Sequence, residues 1–193
     1  MIKDANLYII LNLYISYMKD YEETVKEFLK NIATRRGYAS FRWSYGGEEG
    51  YKMGNVPEDQ ICSIDYAIRV TQNPLLFNIT GVHNNCVTGR YGKGKGIFKY
   101  FLDELEKVAK KHGGAIKVTG FANMWLARFM FKTRGYEAIQ TRTGKRITPT
   151  RLATFYNKVD KMGKPRNDTI INVGDSMLYF NSILGSPDAF KQF

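Results

Sequence analysis

The chain has 193 residues, 44% of them hydrophobic and 24% charged, the composition of one globular domain and not of a disordered or fibrous protein. Its formal charge of +11 is lopsided: residues 1–89 hold nine Lys and Arg against ten acids, whereas residues 90–193 hold twenty against eight. The second half therefore presents a positive field suited to an anionic ligand, a nucleic acid or an acidic partner surface.

No signal-peptide pattern is present, and the most apolar stretch, Leu7 to Met18, is too short to span a bilayer and carries Asn12 and Ser16. A cytoplasmic protein with no membrane association is the expectation. Cys62 and Cys86 give neither a disulfide framework nor a zinc spacing, and His83 and His112 have no ligand-type neighbours, so no metal site is expected.

Residues 5–18 read as a strand or a buried helix, which periodicity does not separate in so short a run. Asp20 through Arg35 places Tyr21, Val25, Phe28, Leu29 and Ile32 near helical spacing, with Asp20 as N-cap, Glu23 three residues on and Gly37 just past the end. Tyr38–Tyr45, Ile61–Val70 and Leu75–Val82 read as strands, and Gly46-Gly47 as a turn. Gly94–Lys111 is the clearest helix, with Ile97, Phe101, Leu102, Leu105 and Val108 on one face and Gly113-Gly114 as the stop. Ala115–Gly120 reads as a strand, Asn123–Arg134 as a helix ending at Gly135, and Tyr136–Gln140 as a strand. Beyond Thr141 lies a basic segment, followed by two apolar runs, Thr169–Val173 and Met177–Leu184, whose type the pattern does not fix. This order points to an α/β layer with helices packed on a sheet.

The segment Arg90-Tyr91-Gly92-Lys93-Gly94-Lys95-Gly96-Ile97 carries the chemistry. Alternating glycines let consecutive backbone N–H groups turn toward an anion without Cβ clashes. The helix that follows adds unpaired N–H groups and the positive end of its dipole. Lys93, Lys95 and Lys99 add charge nearby. The loop is not a P-loop, since no Gly-Lys-Ser/Thr follows, and not a dinucleotide fingerprint, since its glycines alternate.

From about residue 86 to 140 the chain resembles the acyl-CoA-binding core of the GNAT superfamily of N-acyltransferases. Tyr91-Gly92-Lys93-Gly94-Lys95-Gly96 matches the family's Gln/Arg-x-x-Gly-x-Gly/Ala loop in its two glycines, and Ile97, Phe101 and Leu102 fall where the family has hydrophobic residues. Ala127, Gly135 and Tyr136 occupy the alanine, glycine and terminal aromatic places of a later motif. The sequence departs from the family in three places. Tyr91 stands where Gln or Arg is usual, Asn123 is one residue off the usual asparagine, and Phe131 replaces a tyrosine that protonates the departing thiolate in many members.

The resemblance implies a mixed, largely antiparallel central sheet with helices on both faces, residues 1–140 forming a GNAT-like domain and 141–193 its late strands or a basic extension. It implies acetyl-CoA or another acyl-CoA as cofactor, held by Tyr91, Gly92, Lys93, Gly94, Lys95, Gly96, Ile97 and Asn123. The pantetheine arm would lie between two splayed parallel strands, and the acceptor would be a small-molecule or protein amine. The amine needs a base; His83 is the first candidate and Glu48 and Glu49 follow, with Tyr136 the candidate to replace the missing acid. Arg128, Lys132 and Arg134 are candidates for the nucleotide's 3′-phosphate or for a solvated helix face.

Two other readings stand beside acyl transfer. One is a GNAT-like module without catalysis, for example in a virion, favoured by Phe131. The other is a nucleic-acid or other anionic partner bound through residues 90–166, where basic and aromatic residues interleave.

Overall fold

The computed structural model describes residues 18–45, 62–84, 96–121, 123–162 and 183–193. Helix α1 occupies residues 18–29. Its buried Tyr21, Val25 and Leu29 recur every fourth residue, and Ile32 in the following 3-10 turn continues the stripe. Asp20 is not the N-cap: the helix is already formed at residue 18, and the Asp20 carboxylate instead accepts a 2.8 Å hydrogen bond from Trp43 Nε1.

Strands β1 (Gly37–Tyr45), β2 (Cys62–Thr71) and β3 (Leu76–Asn84) form an antiparallel meander. Their alternation is clean. Ala39, Phe41 and Trp43, then Ile64, Tyr66, Ile68 and Val70, then Phe77 and Ile79, are buried on one face, while Tyr38, Ser40, Arg42 and Arg69 face outward. Helix α2 (Ile97–Lys111) lays Ile97, Phe101, Leu102, Leu105 and Ala109 on that same buried face. Phe101 sits 4.7 Å from the Tyr66 ring and 5.2 Å from Phe41, and Tyr21 donates to the Ile97 carbonyl at 2.9 Å, which fastens the start of α2 to α1.

Strand β4 (Ala115–Val118) runs parallel to β3. Helix α3 (Met124–Arg128) continues into a π-turn at Phe129–Thr133, so the helix expected over Asn123–Arg134 changes pitch halfway. The wider turn is closed by Arg134 N–H donating to the Phe129 carbonyl, and Gly135, at φ +68°, supplies the left-handed residue that ends it. Strand β5 (Glu137–Gln140) follows, then helix α4 (Pro149–Lys161), then β6 (Pro187–Gln192).

The six strands among the described residues lie in the order β1-β2-β3-β4-β6-β5, antiparallel throughout except for β3 beside β4. The fold is thus α+β with a mixed, largely antiparallel sheet, consistent with a GNAT-like architecture. The end of the chain enters between β4 and β5, inside the sheet. Two elements of the last third escape the sequence reading for different reasons. Helix α4 carried legible signals, a Thr148 N-cap with Pro149 behind it and apolar Leu152, Phe155, Tyr156 and Val159 at helical spacing, masked by its basic composition. β6 carried none: Pro187, Asp188, Lys191 and Gln192 are poor strand formers, and neighbours on both sides impose the strand. The apolar run at residues 5–17, most of those at 169–173 and 177–184, and Glu48 and Glu49 lie outside the described residues.

Candidate functional site

Strand β3 leads into α2, and the parallel β4 leads into α3. This topology puts the C-terminal ends of both strands and the N-termini of both helices at one end of the sheet, where open α/β sheets bind ligands. β3 and β4 are in register from Leu76 opposite Ala115 to Ile79 opposite Val118, and a 2.9 Å bond from Thr119 N–H to the Ile79 carbonyl is the last rung. β4 then stops, and Gly120, at φ +71°, turns the chain toward Phe121 and α3. β3 continues to Asn84. Among the described residues nothing pairs with its β4-facing side beyond Ile79.

The point of parting coincides with an irregularity in β3. Ile68 of β2 opposes Ile79, but the preceding Ala67 opposes Gly81, so Thr80 is an extra, bulged residue. The bulge resets the alternation. Gly81 is turned to β2, and the next backbone N–H and C=O on the open side belong to Val82.

Helix α2 begins at this end. Gly96, its N-cap, is left-handed (φ +85°, ψ 3°) and has no side chain with which to cap the helix, and no acidic residue occupies the first turn. The first intrahelical bond runs from Tyr100 N–H to the Gly96 carbonyl at 2.8 Å, which leaves the N–H groups of Ile97, Phe98 and Lys99 without helical partners. Ile97 takes part through its backbone alone, since its side chain is in the core. Lys99 is committed to Asp103 at 2.6 Å. Tyr91, Gly92, Lys93, Gly94 and Lys95 lie outside the described residues.

Asn123 heads α3 at the same end, exposed, with its side-chain oxygen accepting from the N–H groups of Trp125 (2.9 Å) and Leu126 (3.1 Å). It is a helix cap in this structure. His83 also belongs to this end, paired through β2 opposite Asp65, and is described by its backbone only.

Tyr136 belongs to the opposite end. It precedes β5, which runs parallel to β4 by way of β6, and the register sets it level with Ile116, near the start of β4. Its buried hydroxyl donates to Glu106 Oε1 at 3.0 Å, ten residues or about 15 Å along α2 from Gly96. Burial first, and then the Glu106 carboxylate, push the phenol well above its ordinary value. Phe131, in the π-turn, is buried with its ring 5.7 Å from that of Phe121.

The three cations singled out on α3 and the π-turn that follows it are occupied by carboxylates of the chain itself. Arg134 contacts Asp103 at 2.7 Å and Glu106 at 2.6 Å, while Arg128 and Lys132 hold Asp160 of α4 at 2.7 and 3.5 Å. They act as ties between elements, Arg134 from a partly buried position and Lys132 from an exposed one. Burial alone would raise the Asp103 carboxyl, but its hydrogen bond from Lys99 and the charge of Arg134 outweigh this and hold it below the usual carboxylate range.

No helix among the described residues is long and apolar enough to cross a membrane. Comparisons with protein-family models, with curated proteins and with solved structures gave no match.

Proposed function

We propose that this end of the sheet binds an acyl-CoA and that the protein transfers its acyl group to an amine. The observation that carries the reading is the parting of β3 and β4 at the Thr80 bulge, at the end of the sheet where α2 starts from Gly96. On this reading the pyrophosphate rests on the N–H groups at the head of α2 and on the glycines before it. The pantetheine arm takes the place of the missing rungs along β3, in the manner of an added strand. The Val82 N–H then polarises the thioester carbonyl and stabilises the oxyanion as the amine attacks. The acyl carbon forms its bond to nitrogen, the carbon–sulfur bond breaks, the amine proton passes to a base, and the thiolate leaves.

His83, at this end of β3, is the candidate base. Tyr136 does not enter the reading, because its hydroxyl is bound to Glu106 at the far end of the sheet. A second reading, a binding module without turnover, is favoured by one observation: Phe131 carries no hydroxyl and is packed in the core.

Calorimetry of the full chain with CoA tests the binding step. Gly96→Val adds a Cβ that meets nothing within 4 Å but strains a left-handed residue, so the variant folds while its loop is redirected. We expect CoA to bind and the variant to lose at least about tenfold in affinity, since helix-head N–H groups no longer converge. No heat with CoA, or unchanged affinity in a folded Gly96→Val, would overturn the reading. Thiol release from acetyl-CoA against a panel of amines then separates enzyme from module.

A further inference from the structure

At the end of the sheet away from the head of α2, where the chain enters β1 and β2 turns toward β3, the surface holds a depression of about 310 Å³. Arg36, Arg69, Thr71, Gln72 and Asn73 line it. Its walls are fastened to each other. The Gln72 amide donates to the carbonyl oxygens of Ala33 at 2.9 Å and Arg35 at 2.7 Å, which pins the turn carrying Arg36 onto the β2–β3 turn. Gly37, at φ +85°, then swings the chain into β1. The register sets Tyr38 opposite Arg69, whose guanidinium lies 5.7 Å from the Tyr38 ring centroid. That ring is 76% exposed. Among the described residues no acid lines the depression, and no carboxylate holds Arg36 or Arg69. Asp65, the acid on this face of β2, is four residues away, about 13 Å along the strand, and is held by Arg42 at 3.1 Å.

We infer that this depression binds a nucleotide, with the phosphate on Arg36 and Arg69 and the base against the Tyr38 ring. A guanidinium is a donor-only fork whose spacing matches two phosphate oxygens, so two of them without acids call for an acceptor-only anion. The Thr71 hydroxyl and the Asn73 amide stand on the same wall as neutral donors for the remaining oxygens or the sugar. Tyr38 adds a flat, exposed ring beside that anion, the platform on which a base stacks. A simple carboxylate would satisfy the arginines and give the ring nothing to do. The volume is at the small end for ligand sites and suits one nucleotide unit, free or within a single strand. The depression and the head of α2 lie at opposite ends of the sheet, so the inference does not rest on the acyl-CoA reading.

Calorimetry of the full chain with AMP, adenosine and inorganic phosphate, beside anisotropy with a labelled single-stranded DNA oligonucleotide, tests it. We expect AMP to bind more tightly than either adenosine or phosphate. Arg36→Gln with Arg69→Gln should weaken binding at least about tenfold, and Tyr38→Ala about fivefold or more. A control with the same charge loss, Arg142→Gln with Lys145→Gln in the exposed turn after β5, on the far edge of the sheet, should keep the affinity. All the substituted side chains are exposed, and circular dichroism checks that each variant folds. Binding of AMP supports a free nucleotide as ligand, and binding of the strand alone supports a nucleotide within a chain. Binding of neither overturns the inference, as does phosphate bound as tightly as AMP, or an equal loss in the two double variants. Gly96→Val separates the two sites: it should leave AMP binding unchanged, and a loss there with none in the Arg36 and Arg69 variant would assign the nucleotide to the head of α2 and overturn the inference.

Discussion

Arg134→Gln removes the guanidinium that ties the end of the π-turn to α2. Arg134 is 18% exposed, and its carboxylate partners Asp103 and Glu106 are 27% and 15% exposed. Exposed ion pairs contribute at most about 1 kcal/mol, whereas removing one partner of a fully buried pair costs about 3–5 kcal/mol. This site lies between those limits. Lys99 still serves Asp103 and Tyr136 still serves Glu106, so we expect a loss of about 2 kcal/mol at neutral pH. In a chain of this size that lowers Tm by about 4–8 °C. The effect has a definite pH dependence. Asp103 is held below its ordinary value, so the stability it contributes is present above the unfolded carboxylate range and is lost as pH falls through the folded value. The gap between wild type and variant should therefore be widest near pH 7 and should close below about pH 4. Paired thermal melts from pH 3 to 7 read it. A Tm unchanged at pH 7, or a gap equally wide at pH 3, would show that Arg134 does not act through these carboxylates.

Lys117→Met removes the cation 2.9 Å from the fully buried Asp188 and leaves its charge with the Thr141 hydroxyl bond alone, which should cost about 3 kcal/mol in urea unfolding; a cost under 1 kcal/mol would refute the pairing. Tyr136→Phe keeps the ring and loses the bond to Glu106, lowering stability by about 1–2 kcal/mol. If instead Tm holds and acyl transfer collapses, Tyr136 is a proton donor and its assignment to the far end of the sheet is wrong. Asn123→Ala should cost about 1 kcal/mol and Asn123→Asp almost nothing, since aspartate caps equally well; equal melts for wild type and Asn123→Ala would dismiss the cap.

The sequence by itself determined the elements whose periodicity is strong. The α1 stripe of Tyr21, Val25 and Leu29, the alternation through β1–β3 and the apolar face of α2 each follow from a local rule, because one face of each element must leave water. It placed the start of that helix at Gly94, whereas the left-handed Gly96 is the N-cap and the helix runs from Ile97. Tertiary structure decided the rest. β6 is a strand because β4 and β5 flank it, not because Pro187 or Asp188 favours one. Arg128, Lys132 and Arg134 look alike along the chain, yet each is matched to an acid 28 to 32 residues away, a distance over which sequence spacing carries no information. Tyr136 and His83 were equal candidates as residues. Strand direction alone sends one to the start of the sheet and leaves the other beside the opening of β3 and β4, because a chain's faces and ends acquire meaning only when strands pair.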